Sequence, residues 1–190
     1  LNYGEVEYVP RRPPLGPVAD KAHDMEREYT VLSRLHQAYP LAPEAFVYCG
    51  DESLIGTDFF VMERRRGVVV RETMPEAFRD ISNAPQRMAE ALVDALADLH
   101  AVDYEAIGLG DLGHPEGFIE RQIEGWYRRW QAAKTEDVAA MTEVYKWLSD
   151  HRPEDGATSL VHNDYKLDNL MLDASDPGTA IAVFDWDMCT

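Results

Sequence analysis

The sequence predicts an α+β fold in which a small strand-rich part precedes a mostly helical part. Three observations carry this expectation. From 44 to 72, in "EAFVYCGDESLIGTDFFVMERRRGVVVRE", apolar runs alternate with Gly and Asp turns, as in antiparallel strands. After Pro75, three segments carry apolar residues at helical spacing. The closing segment returns to short apolar runs around a dense group of charges, "LVHNDYKLDNLML".

Taken in order, Tyr3 to Pro17 is short and proline-rich and ends in "RRPPLGP", a strand running into a loop. In "HDMEREYTVLSRLHQAY", Met25, Tyr29, Leu32 and Leu35 recur at helical spacing and Asp24 can cap the helix. Glu28 falls on that apolar face, where a carboxylate requires a cation. The next stretch predicts a meander of about three strands, with "ERRRG" as a solvated turn. The helices follow as "PQRMAEALVDALADLHAV", with Met88, Leu92, Leu96 and Leu99 marking its stripe, then "PEGFIERQIEGWYRRWQAAK" and "EDVAAMTEVYKWLSDH". Trp126 and Trp130 are expected to pack a helix. "GLGDLG", Gly108 to Gly113, fits G-x-G-x-x-G, but it follows a helix end and a polar linker rather than a strand. It therefore reads as a structural loop. The end resolves into strand "SLVH", loop "NDYKLD", strand "NLMLD", turn "ASDPG" and strand "TAIAVFDWD".

Composition narrows the function. At 190 residues and 45% hydrophobic content the chain can bury a core for one large or two small domains. No run of about 18 apolar residues suggests a membrane span, and no charged-then-apolar leader suggests secretion. Leu1 rather than Met comes first, which leaves the true start open. Cys49 and Cys189 are too few for a disulfide framework or a zinc site, so a cytoplasmic setting is the default. A net charge of -17 opposes nucleic acid and anionic membranes. It would favour a cationic substrate, although acidic surfaces commonly serve solubility alone. The oligomeric state is not legible.

Folding the last two strands into a hairpin brings Asp185 near Asn169, beside Asp164. Asn169 and Asp185 offer hard oxygen ligands without thiols, which suits Mg²⁺. Asp164 sits on a loop, free to accept a proton from a hydroxyl attacking phosphorus, and Lys166 can meet the developing charge.

The spacing H-x-D-x-x-x-x-N of His162, Asp164 and Asn169, followed by D-W-D at 185–187, resembles the aminoglycoside phosphotransferase (APH)-like family of small-molecule kinases. "REY" opening the first long helix and "FFVME" at a hinge come in the family's order. "GLGDLGHPEGFIERQIEGWYRRW" further resembles the branch whose members are sometimes fused to acyl-CoA dehydrogenases. The resemblance implies a protein-kinase-like two-lobe fold incomplete at both ends. Residues 1–66 would be a partial β-rich lobe holding ATP, and 67–190 a partial helical lobe with the catalytic hairpin. It makes Asp164 the catalytic base and Asn169 and Asp185 the Mg²⁺ ligands. It makes His162 a support for the loop, and Met62 and Glu63 the hinge that holds adenine. Glu28 matches the glutamate that pairs with a phosphate-contacting lysine, and its partner here should be Arg11, a planar fork in place of that point charge. The implied acceptor is a small-molecule hydroxyl, of a hydroxyacyl compound or an aminoglycoside-like amino-alcohol. The alternatives are a pseudokinase-type module that binds nucleotide or a partner without turnover, and a protein kinase. D-W-D in place of D-F-G and the long helical insert count against the protein kinase.

Overall fold

The computed structural model describes residues 2–3, 6–14, 24–154 and 156–190. The end of "RRPPLGP" beyond Pro14 lies outside them. The chain forms two compact units, one of Leu1–Gly110 with Ser159–Thr190, the other of Asp111–Thr158.

The first unit contains two sheets. β1 (Asn2–Tyr3), β2 (Val6–Arg11), β4 (Phe59–Glu63) and β3 (Ala45–Cys49) lie in that spatial order, all antiparallel. β1 pairs with β2 only as far as Glu7, so among the described residues β2 beyond it has no partner on that edge, a position that tolerates Pro10 opposite Val61. Helix α1 (Met25–Leu35) packs on β3 and β4. Asp24 caps it, accepting from the Arg27 N–H at 2.9 Å. Met25, Leu32 and Leu35 are buried as their spacing requires, together with Val31.

The second sheet holds β5 (Val68–Val69), β6 (Leu170–Asp173) and β7 (Asp176–Val183). The expected three-strand meander is therefore not formed. Its third strand leaves β4 and pairs with β6, Val68 opposite Leu172. Alternation marks a strand but does not choose its partner, and Gly67 admits this one: a Cβ there would collide with the Leu172 carbonyl and the Met171 side chain. "ERRRG" is also more than a solvated turn, because Arg64 and Arg66 pair with Glu7 on β2 and Arg65 with Glu63.

Two expectations about the closing hairpin change. The turn is Ala174–Ser175, where the Asp173 carboxylate accepts from the Ser175 N–H at 2.8 Å, and Pro177 and Gly178 lie inside β7. "SLVH" joins no sheet strand; Val161 instead exchanges two backbone hydrogen bonds with Thr190. Helix α2 (Ala84–His100) covers β7. Its buried line runs through Met88, Ala91, Ala95 and Leu99, with Leu92 and Leu96 half-buried at its flank, since small alanines let a helix approach a sheet closely. "GLGDLG" starts no helix: Gly108 is left-handed (φ 77°) and Leu109 is buried.

The second unit is a pair of helices, α3 (Phe118–Ala133) and α4 (Ala139–Asp150), joined by Tyr127 stacked on Tyr145 at 3.9 Å. Neither helix buries a residue fully. Trp126, expected to pack a helix, is 59% exposed with its ring under the Arg129 guanidinium, and Trp130 is half-buried; both line a groove with Val144 and Leu148 of α4.

Candidate active site

The site is built on four backbone segments of the first unit: the end of β2, the first turns of α1, and the two loops flanking the β6–β7 hairpin. Leu170 pairs with Val183, and the Phe184 N–H donates to the Asn169 carbonyl at 2.9 Å. Asn169 therefore stands opposite Phe184 and one step from Asp185. Asp185 has φ 69°, a left-handed conformation that turns its carboxylate away from the strand direction of β7. Asn169 and Asp185 line a 430 Å³ cavity together with Arg11, Glu28 and Met62. Glu63 lies at the end of β4 and outside that lining; its N–H is already given to the Glu44 carbonyl and its carboxylate to Arg65.

Arg11 joins the two acids. Its Nε donates to Glu28 Oε2 at 3.1 Å and its Nη2 to Asp185 Oδ1 at 2.5 Å. Glu28 is buried, which pushes its carboxyl up against the opposing pull of Arg11, and its Oε1 accepts the Trp186 N–H at 3.4 Å. One buried carboxylate thus ties α1 both to β2 and to the segment after β7.

On the other loop, Lys166 Nζ donates to both oxygens of Asp164, at 3.0 and 2.7 Å. Asn169 Nδ2 donates to Asp164 Oδ2 at 3.1 Å and to its carbonyl at 2.9 Å. The Lys166 bond, then that of Asn169, holds the Asp164 carboxyl below its ordinary value, so it is an anion throughout the neutral range. With its amide nitrogen so engaged, Asn169 keeps its amide oxygen as an acceptor, and among the described residues nothing donates to that oxygen.

His162 is buried and accepts the Asp164 N–H on Nδ1 at 3.3 Å, so Nε2 carries the proton given to the Phe184 carbonyl at 2.9 Å. The ring joins the two loops as a neutral group. Burial holds its pKa below the ordinary 6.5. Because the unfolded chain then binds the proton more tightly, this contribution to stability is complete above about pH 6.5 and is lost as pH falls through the depressed folded value. Urea midpoints of the wild type should drop in that window, and those of His162→Gln should drop less; parallel curves would count against this role.

Sequence reasoning missed Tyr165, whose hydroxyl donates to the Leu92 carbonyl in α2 at 2.6 Å, and Asn163, left-handed and bonded to the Met188 carbonyl at 2.9 Å. No local pattern marks either residue, since each acts on a carbonyl far along the chain.

No group of three or more His, Cys, Asp and Glu residues gathers among the described residues. An all-protein metal cage is thus not formed there. Asn169, with its amide oxygen unbonded among the described residues, and Asp185, with one oxygen on Arg11, line the same cavity, and this pair of hard oxygen donors fits a cation that fills the rest of its shell with water and phosphate, as Mg²⁺ does.

A sequence model of the phosphotransferase enzyme family matches residues 1–190. The chain belongs to that family. It is 35% identical over 192 residues to acyl-CoA dehydrogenase family member 11 of Gallus gallus, covering all of this chain and 24% of that protein. A crystal structure from Ralstonia eutropha, described provisionally as an aminoglycoside phosphotransferase, superposes with a TM-score of 0.79 at 36% identity, over 96% of this chain and 53% of that one. The fold is thus the α+β kinase-like fold of these phosphotransferases. An aminoglycoside phosphotransferase in ternary complex with AMP-PNP and hygromycin B shares the fold, with a TM-score of 0.65 at 19% identity over 99% of this chain and 61% of that one. This family member spans about a quarter of the length of the curated relative it matches. No helix among the described residues is long and apolar enough to cross a membrane.

Proposed function

We propose that this chain carries the nucleotide-holding and phosphoryl-transfer residues of an ATP-dependent kinase of a small-molecule hydroxyl. The observation that carries the reading is the convergence of Asp164, Asn169 and Asp185 beside the Arg11–Glu28 pair. Residues 1–66 form the ATP-holding lobe in this reading, with Met62 and the backbone at Glu63 against adenine, and residues 67–190 supply the catalytic hairpin. Arg11, oriented by Glu28, contacts phosphate. Asn169 and Asp185 hold Mg²⁺, which when bound draws the phosphates together and offsets their charge. Asp164 orients the acceptor hydroxyl and takes its proton as the hydroxyl oxygen bonds to the γ-phosphorus and the bond from that phosphorus to the departing ADP breaks. Lys166, released from Asp164 as substrate enters, meets the charge on the transferring group.

The relative named for an acyl-CoA dehydrogenase favours a hydroxyacyl acceptor, while the family's aminoglycoside enzymes favour an amino-alcohol. A cytoplasmic setting agrees with two unpaired cysteines.

A second reading rests on one contact. Arg11 occupies an oxygen of Asp185, as expected of a module that binds nucleotide without turnover. Incubating the full-length protein with γ-labelled ATP, Mg²⁺ and panels of hydroxyacyl-CoAs and aminoglycosides separates the two. Label moving to an acceptor hydroxyl is the expected result. Nucleotide binding with no transfer to any acceptor would favour the second reading, and no nucleotide binding would overturn both.

A further inference from the structure

Arg27 stands beside Glu28 on α1, and the scheme above gives it no task. Its Nε and Nη2 both donate to the carbonyl of Cys189, at 3.0 and 2.6 Å. Cys189 is fully buried, so that carbonyl is removed from water and depends on protein donors. The following residue, Thr190, receives the Val161 N–H at 2.8 Å and gives its own N–H to the Val161 carbonyl at 3.0 Å. Val161 leads directly into His162 and Asp164. One position along α1, Glu28 accepts the Trp186 N–H. Two adjacent helix residues therefore grip the 186–189 segment at both ends, one through a carboxylate and the other through a guanidinium.

The grip bears on the site because of where Asp185 lies. It sits between the end of β7 and the fully buried Trp186, in a left-handed conformation that a residue other than glycine keeps only when its surroundings impose it. Trp186 anchors one side of that conformation. Beyond it the chain passes Met188, whose side chain is exposed and whose carbonyl accepts from Asn163 at 2.9 Å, and is held against α1 again at Cys189. Without the Arg27 bonds the buried Cys189 carbonyl would lose both of these donors, and the 186–190 segment, left to its ties at Asn163 and Val161, would shift against α1 and carry the direction of the Asp185 carboxylate with it.

We propose that Arg27 is a positioning residue of the phosphoryl-transfer site: by holding the Cys189 carbonyl it fixes the 184–190 segment against α1, and with it the Asp185 carboxylate and, through the Thr190–Val161 pairing, the Asp164 loop. The proposal rests on the kinase reading. Two N–H groups of one guanidinium meet on a single acceptor, which the single ammonium of lysine reproduces only in part.

The test is ATP binding by the full-length protein, measured calorimetrically across a Mg²⁺ series. Residues that orient a metal ligand typically change metal affinity by 10 to 100-fold, so the Mg²⁺ midpoint for ATP binding should rise by about that factor in Arg27→Ala and by less in Arg27→Lys. Binding without Mg²⁺ should be unchanged. A purely structural role would lower the number of binding-competent molecules and leave the midpoint where it was. An unshifted midpoint in either folded variant overturns the proposal, and Arg27→Lys alone decides if Arg27→Ala does not fold. A wild type with no Mg²⁺-dependent ATP binding would instead refute the kinase reading, and this proposal with it.

Discussion

Asp185→Ala is expected to remove more than about 100-fold of phosphotransfer in the full-length protein. Groups that merely orient a metal ligand cost 10 to 100-fold, and loss of the ligand itself should exceed that. The substitution also frees Arg11 Nη2 and places alanine at φ 69°, where a side chain without local hydrogen bonds costs about 1 kcal/mol or more. Asp185→Asn separates these effects, because asparagine tolerates the left-handed region and keeps the shape while removing the charge. Both variants should melt cooperatively, and both should need far more Mg²⁺ for whatever activity remains. Unchanged activity in the folded alanine variant would sink the metal assignment.

Asp164→Asn should lower kcat by about 10² to 10⁴-fold with little change in nucleotide affinity, the usual worth of a positioned base. Its carboxylate is tied by Lys166 and Asn169 and held below its ordinary pKa, so it is a weak base before substrate arrives. It can accept a proton only as the attacking oxygen acidifies on bonding to phosphorus, and orientation of the hydroxyl should make up much of its effect. The amide preserves the contact to Lys166 on its oxygen but carries no charge to draw the proton. If steady-state kinetics with equilibrium binding gave lost affinity and a surviving kcat, Asp164 would be a ligand rather than a base.

Local pattern alone determined a good deal of this protein. The helical spacing of Met25, Leu32 and Leu35 behind the Asp24 cap, the amphipathic runs after Pro75, and the grouping of His162, Asp164, Asn169 and Asp185 were all legible, because each depends on residues near one another along the chain or on a short hairpin. Even the need of Glu28 for a cation could be read from one helix face, and Arg11 meets it. Tertiary structure decided what depends on partners distant in sequence. It sent Val68–Val69 to β6 rather than β4, and chose alanines over leucines for the contact of α2 with β7. It also brought Arg27 to a carbonyl 162 positions away and Arg11 to a carboxylate 174 positions away. A backbone carbonyl carries no sequence signature, and strand edges accept many partners, so only the packed chain selects among them.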